Sequence, residues 1–318
     1  MSRTLVLLDD YQGAAMGFAP WRELEGWRVR AVCEHHPDED ALVAELADAT
    51  AVVAMRERTP FPRRVLERLP QLRLLVTTGA ANASIDAGAA ADLGITVCGT
   101  GSSPSAAPEL AWALLMSAVR DIPGQQTALR DGRWQTGIGR ELAGRTLGIV
   151  GLGRIGTRVA AYARAFGMDV LAWSPNLTRA RAEAAGAELV GKTELFERAD
   201  IATLHLRLSD RTRRIVGAAE LDALGPDALL VNTARAALVD TGALVAALTS
   251  GRLGGAALDV HDLEPLPADH PLLAAPRTLL TPHVGYVTRE QYGIFYRDAL
   301  DDVRAWAAGT PLRVIAAP

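Results

Sequence analysis

At 318 residues, 49% of them apolar, the chain exceeds what one core usually holds and has enough apolar side chains to fill two. A formal net charge of −4 argues against nucleic acid as the principal partner, because phosphate binding draws on a basic excess. The two cysteines, Cys33 and Cys98, come with no CxxC pair and no clustered histidines, so neither a metal site nor a disulfide is expected.

The first apolar run, 4–8 (TLVLL), meets Asp9 and Asp10 at once. It is too short for a secretory signal or a membrane span, which predicts a cytoplasmic protein without a membrane partner. It reads instead as a strand. Further strands are expected at 28–33, 51–54, 73–76 and 95–98, with helical patterns at 38–48 and 62–69. Such alternation implies a parallel sheet with helices on both faces. Residues 99–105 (GTGSSPS) interrupt the pattern, and an apolar helix at about 107–120 ends before Pro123. A second series follows, with strands at 146–150, 169–173, 201–205, 228–232, 255–259 and 278–281, then a charged helix at about 288–308. The reading is α/β, with two doubly wound parallel-sheet domains. One covers 101–287; the other combines 1–100 with 288–318.

The strand TLGIV leads into Gly151-Leu152-Gly153-Arg154-Ile155-Gly156 and then an amphipathic helix. In that context GxGxxG marks a Rossmann dinucleotide site. Gly151 permits the tight turn, Gly153 lets a pyrophosphate approach the backbone, and Gly156 lets helix and strand pack closely. The helix N-terminus adds free N–H groups and the positive end of its dipole. Gly151, Gly153, Arg154, Ile155 and Gly156 are therefore cofactor candidates. After the next strand an NAD site usually has Asp or Glu for the ribose 2′-hydroxyl. This chain has Ser174, then Asn176 and Arg179. No carboxylate there repels a 2′-phosphate, and Arg179 or Arg154 could reach one. NAD and NADP both stay open.

Arg235, Glu264 and His283 follow three successive strands of the same domain. Ligands of open α/β sheets bind beyond the carboxyl ends of strands, so these three should share one crevice. A histidine can exchange the hydroxyl proton while hydride moves at the same carbon. A carboxylate beside it stabilises the imidazolium and orients the ring. A guanidinium binds a carboxylate and polarises a keto oxygen. The set suits hydride transfer between a nicotinamide and a small 2-keto or 2-hydroxy acid.

The segments GRTLGIVGLGRIG, LLVNTARAALVDTGALVAALTSGRLGGAALDVHDLEPLPADHPL and LLTPHVGY resemble the D-isomer-specific 2-hydroxyacid dehydrogenase family. The resemblance covers most of the chain and is most specific over about 141–287. It implies a flavodoxin-like substrate domain beside the Rossmann domain, and a homodimer formed through the latter. It implies that Arg235 binds substrate, Glu264 partners the histidine and His283 is the acid/base. It gives Asp259 the nicotinamide carboxamide and lays Thr233 and Ala234 along the cofactor. In the first domain it implies a carboxylate cradle in TTGAANASID, with Gly79, Ala80 and Ala81 as backbone donors, and Arg56 as a further substrate contact. Asn82 and Asp86 would shape that loop. Ser174 and Ala236 depart from the commoner family pattern. Two other readings compete: a formate- or phosphite-type dehydrogenase of the same fold, and a dinucleotide-sensing corepressor-like binding protein. The stretch 77–86 has no Lys or Arg, which disfavours phosphite; retained catalytic-type residues and the lack of basic runs disfavour the corepressor.

Overall fold

In the computed structural model, which describes residues 3–316, the chain divides into two units. One is built from the residues up to Ser103 together with those from Val287 onward; the other is Pro104–Tyr286.

The smaller unit alternates β1 (Arg3–Leu7), β2 (Trp27–Ala31), α1 (Glu39–Glu45), β3 (Ala51–Ala54), α2 (Arg63–Leu66), β4 (Leu74–Thr77), α3 (Ala87–Asp92) and β5 (Thr96–Gly99). All pairings are parallel, in the order β2-β1-β3-β4-β5, which is the flavodoxin-like order. Val6, Val52 and Leu75 point into one core with Leu42, Phe61 and Val65. The chain's last helix, Arg289–Ala307, packs against β4 and buries Phe295, Ala299 and Val303. The helices expected at 38–48 and 62–69 are shorter than their apolar periodicity suggests, and the second is a single turn. Pro62 and Pro70 bracket that second stretch and limit its length.

The larger unit opens with α4 (Ala106–Val119) and α5 (Ile122–Arg130). Then come β6 (Thr146–Val150), α6 (Arg154–Ala165), β7 (Asp169–Trp173), α7 (Arg179–Ala184), β8 (Glu188–Leu189), α8 (Lys192–Arg198), β9 (Ile201–Leu204) and α9 (Ala218–Leu224). It finishes with β10 (Leu229–Asn232), α10 (Thr241–Thr249), β11 (Gly255–Leu258), α11 (Pro271–Ala274) and β12 (Thr278–Leu280). The order β12-β11-β10-β9-β6-β7-β8 is a Rossmann sheet, fully parallel, with one added edge strand. Both faces are buried, which explains the near-continuous apolar runs. Leu147, Ile149 and Val231 face one core with Leu114 and Val159, whereas Val150 and Leu230 face the other with Leu221 and Leu248. The two-residue β8 is too short to show an alternation in sequence.

Candidate active site

The topological switch point of the larger sheet lies between β6 and β9, which run side by side although other elements separate them in the chain. The glycine turn stands at the end of β6. Gly151 has φ +107, and its N–H donates to the Trp173 carbonyl at 2.8 Å. A Cβ there would lie 2.7 Å from the carbonyl carbon of His205 at the end of β9. At Gly156 a Cβ would sit 2.2 Å from the Gly151 carbonyl oxygen, so close helix–strand packing demands glycine. Gly153 caps α6, and a Cβ on it would meet nothing within 4 Å. The protein itself does not crowd that position. The first-turn N–H groups of the twelve-residue α6, including those of Arg154 and Ile155, have no intrahelical acceptors. Open space beside a donor-rich helix end fits a dinucleotide pyrophosphate. His205 donates or accepts at 3.0 Å with Thr203 Oγ1, and desolvation pushes its imidazole down to about 4, so it is neutral under the turn near neutral pH.

Further along the sheet, three strand ends carry the polar candidates. Asn232 closes β10 and is 1% exposed. Its Nδ2 donates to the Arg235 carbonyl at 2.9 Å and its Oδ1 accepts from Ala234 N–H at 3.0 Å, which pins the turn holding Thr233, Ala234 and Arg235. Arg235 is half-buried and donates to the Ala234 carbonyl at 2.7 Å. The Asn232 carbonyl in turn accepts from Asp259 N–H at 3.0 Å.

Asp259 follows β11 and clasps the loop after β12. It accepts from Thr281 Oγ1 at 2.6 Å, Val284 N–H at 2.8 Å and Gly285 N–H at 2.9 Å. Burial pushes its carboxyl above the ordinary value, while Thr281, the Val284 N–H and the charge on His283 oppose that rise. The carboxylate is thus a brace for the loop that carries His283. A carboxylate accepts about four hydrogen bonds, so capacity for a ligand amide remains.

Glu264 and His283 are brought into direct contact. The imidazole Nδ1 lies 2.9 Å and 2.8 Å from the two carboxylate oxygens. The carboxylate can only accept when ionised, so the proton sits on Nδ1 and proton exchange with a ligand falls to Nε2. His283 has φ +54, and its N–H donates to the Thr281 carbonyl at 2.9 Å. A left-handed conformation at a non-glycine residue is a strain that surrounding bonds must hold. The Tyr286 ring stands edge-on to His283 with centroids 5.9 Å apart.

Comparison with known proteins places this geometry. The model of the D-isomer specific 2-hydroxyacid dehydrogenase NAD-binding domain matches residues 112–285. The chain belongs to the D-isomer specific 2-hydroxyacid dehydrogenase family. It is 40% identical over 255 residues to a glyoxylate reductase of Aeropyrum pernix, covering 77% of this chain and 76% of that one. It is 38% identical over 256 residues to a D-3-phosphoglycerate dehydrogenase of Methanocaldococcus jannaschii, covering 79% of this chain but 48% of that longer one. Among solved structures, a phosphoglycerate oxidoreductase of Vibrio cholerae superposes with a TM-score of 0.93 at 40% identity, covering 97% of this chain and 100% of that one. The larger unit is therefore an NAD-binding domain of an oxidoreductase family.

The remaining candidates are less tightly tied down. Ser174, after β7, is half-buried and its carbonyl accepts from Leu177 N–H at 3.1 Å; Asn176 and Arg179 are exposed. Arg179 acts electrostatically on Glu188, whose principal partner is Arg198. Arg154 is exposed at the start of α6. In the smaller unit, Arg56 has φ +51, donates its backbone N–H to Thr78 Oγ1 at 2.8 Å and its guanidinium to the Thr78 carbonyl at 3.0 Å. The Gly79 N–H donates to Thr100 Oγ1 at 2.7 Å. A side chain at Gly79 would collide with the Arg56 guanidinium, 1.8 Å away. Ala80 and Ala81 are exposed. Asn82 Oδ1 accepts from Ser84 N–H at 2.8 Å within the loop, and Asp86 caps α3 by accepting from Ala89 N–H at 2.8 Å.

Sequence reasoning missed Asn232 and His261. The signal for Asn232 was present: an asparagine closing an otherwise apolar, buried strand must satisfy its amide locally. Among the described residues no group of three or more His, Cys, Asp or Glu could hold a metal, and no helix is long and apolar enough to cross a membrane.

Proposed function

We propose that the protein interconverts small 2-keto acids and D-2-hydroxy acids with a nicotinamide dinucleotide. The observation that carries this is the Glu264–His283 pair at 2.8 Å, set beyond the strand ends of an NAD-binding domain and tied to the Arg235 turn through Asp259, whose carboxylate holds Val284 N–H and whose own N–H donates to Asn232. The bound dinucleotide supplies the hydride in reduction and accepts it in oxidation. His283 Nε2 gives the carbonyl oxygen its proton in reduction and takes it back in oxidation. Glu264 holds Nδ1–H and stabilises the imidazolium. Arg235 grips the substrate carboxylate and draws charge from the keto oxygen. Asp259 keeps the His283 loop in place and offers an acceptor to the nicotinamide amide. Thr233 and Ala234 line the cofactor. In the smaller unit, Arg56 and the backbone N–H groups of Ala80 and Ala81 are the anion donors, and Gly79 serves by letting Arg56 lie against the backbone.

Ser174 and Asn176 in place of an acid, with Arg179 just beyond them and Arg154 on the glycine turn, favour acceptance of NADPH as well as NADH. The exposed Trp134 and Ile138 of the extended segment after α5, at 77% and 101%, favour a homodimer through the larger unit. An exposed unpaired Cys33 fits a reducing cytoplasm. Loss of NADH and NADPH absorbance against glyoxylate, hydroxypyruvate, pyruvate and phenylpyruvate tests the reading. Turnover of at least one keto acid is expected; none with either dinucleotide would refute it.

A further inference from the structure

His261 stands in the loop after β11, between Asp259 and Glu264, and is 7% exposed. Its backbone N–H donates to Glu264 Oε1 at 3.0 Å. Its ring Nε2 lies 2.9 Å from the Thr281 carbonyl oxygen. A carbonyl only accepts, so the ring proton sits on Nε2. The same carbonyl accepts the N–H of His283 at 2.9 Å. One residue therefore bonds to Glu264 directly and reaches the His283 turn through the Thr281 carbonyl. It holds the carboxylate from one side and the strained turn under the imidazole from the other.

The second ring nitrogen, Nδ1, is buried and has no hydrogen-bond partner among the described residues. A buried unpaired acceptor is destabilising. An apolar ring of the same shape would fill the space without that cost, so what the imidazole adds is the bond from Nε2. We infer that the His261 side chain is a positioning group for the proton transfer, acting through the Thr281–His283 turn. The inference rests on the proposed role of His283.

The test compares His261→Phe, which keeps the ring and removes the donor, with His261→Gln, whose Nε2 can replace it. Both are measured as full-length protein with NADH and the best keto acid of the panel. His261→Phe should lose about fivefold to tenfold in kcat, the size of one hydrogen bond, with KM and NADH affinity changed less than about twofold. His261→Gln should restore kcat to within about twofold of the wild type and leave the pH profile of kcat/KM in place. A Phe variant as fast as the wild type, or a Gln variant as slow as the Phe variant, overturns the inference. Should the Phe variant fail to fold, the Gln variant decides alone: a fallen kcat or a displaced profile overturns it, and retention of both supports it. His283→Asn separates the two readings. If it kills turnover while His261→Phe does not slow it, only the role of His261 fails; if His283→Asn stays active, the proposed function of the pair fails.

Discussion

The glycine turn after β6 and the polar cluster after β10, β11 and β12 sit on the same edge of one sheet and are built by opposite means. The turn works by leaving side chains out: a Cβ at 151 or 156 would strike backbone atoms. The cluster works by side chains holding other side chains. Asn232 pins the Arg235 turn, Asp259 clasps the 281–285 loop, and Glu264 fixes the His283 ring. A backbone-defined site tolerates almost no change at its glycines. A side-chain-defined site divides its work among bonds that can be removed one at a time. The turn should therefore answer for nucleotide affinity and local stability, and the cluster for turnover.

The largest effect that could break this division is at His283. His283→Asn removes the proton carrier and should lower kcat by about 10³-fold or more while dinucleotide affinity, read by fluorescence titration, stays within a few-fold. Comparable losses of affinity and turnover would show that the turn and the cluster are not separable. Arg235→Lys comes next. An ammonium cannot reproduce the guanidinium fork, so kcat/KM for keto acid should fall by about 10²-fold with nucleotide binding intact. Gly156→Ala probes the other member of the comparison. Its Cβ, 2.2 Å from the Gly151 oxygen, must push helix from strand. That should cost about 2 kcal/mol of stability and weaken dinucleotide binding, measured by thermal melting and titration.

The smallest effect falls in the smaller unit, outside both features, and serves as a control. Asp302 is fully buried, and burial lifts its carboxyl from 3.8 to about 7 against the pull of Arg313. The folded chain keeps a proton there that the unfolded chain releases. Its contribution to stability is present at low pH and is lost as pH rises through about 7. Asp302→Asn should remove this loss, so the melting temperature of the variant relative to the wild type should climb between about pH 5 and pH 8. Nucleotide affinity should not change. A flat difference would mean the carboxyl does not titrate there.

How much of this the sequence discloses follows the same contrast. The glycine turn is legible because steric exclusion demands one residue type at fixed spacing after a strand. The parallel sheets are legible because strands buried on both faces read as uninterrupted apolar runs, as in LLVN and AALD. Arg235, Glu264 and His283 stand out as polar residues just past such runs. Their braces do not. The clasp of Asp259 on Val284 and Gly285 uses backbone groups some 25 residues away, and no local pattern encodes it. His261 reads as an ordinary loop histidine until the fold brings Thr281 within 2.9 Å of its ring. The bond from Gly79 N–H to Thr100 Oγ1 is equally invisible in the sequence, because only the sheet brings β4 and β5 together.

The proposed reaction requires hydride to pass from the nicotinamide to the carbonyl carbon of a keto acid while His283 handles the proton. This is checked by reducing the best keto acid other than glyoxylate, whose product has no D or L form, with NADH carrying deuterium at the reactive ring carbon. Deuterium should appear on the carbinol carbon of the product, with the D configuration there. Hydrogen from solvent at that carbon, or the L isomer, would contradict it.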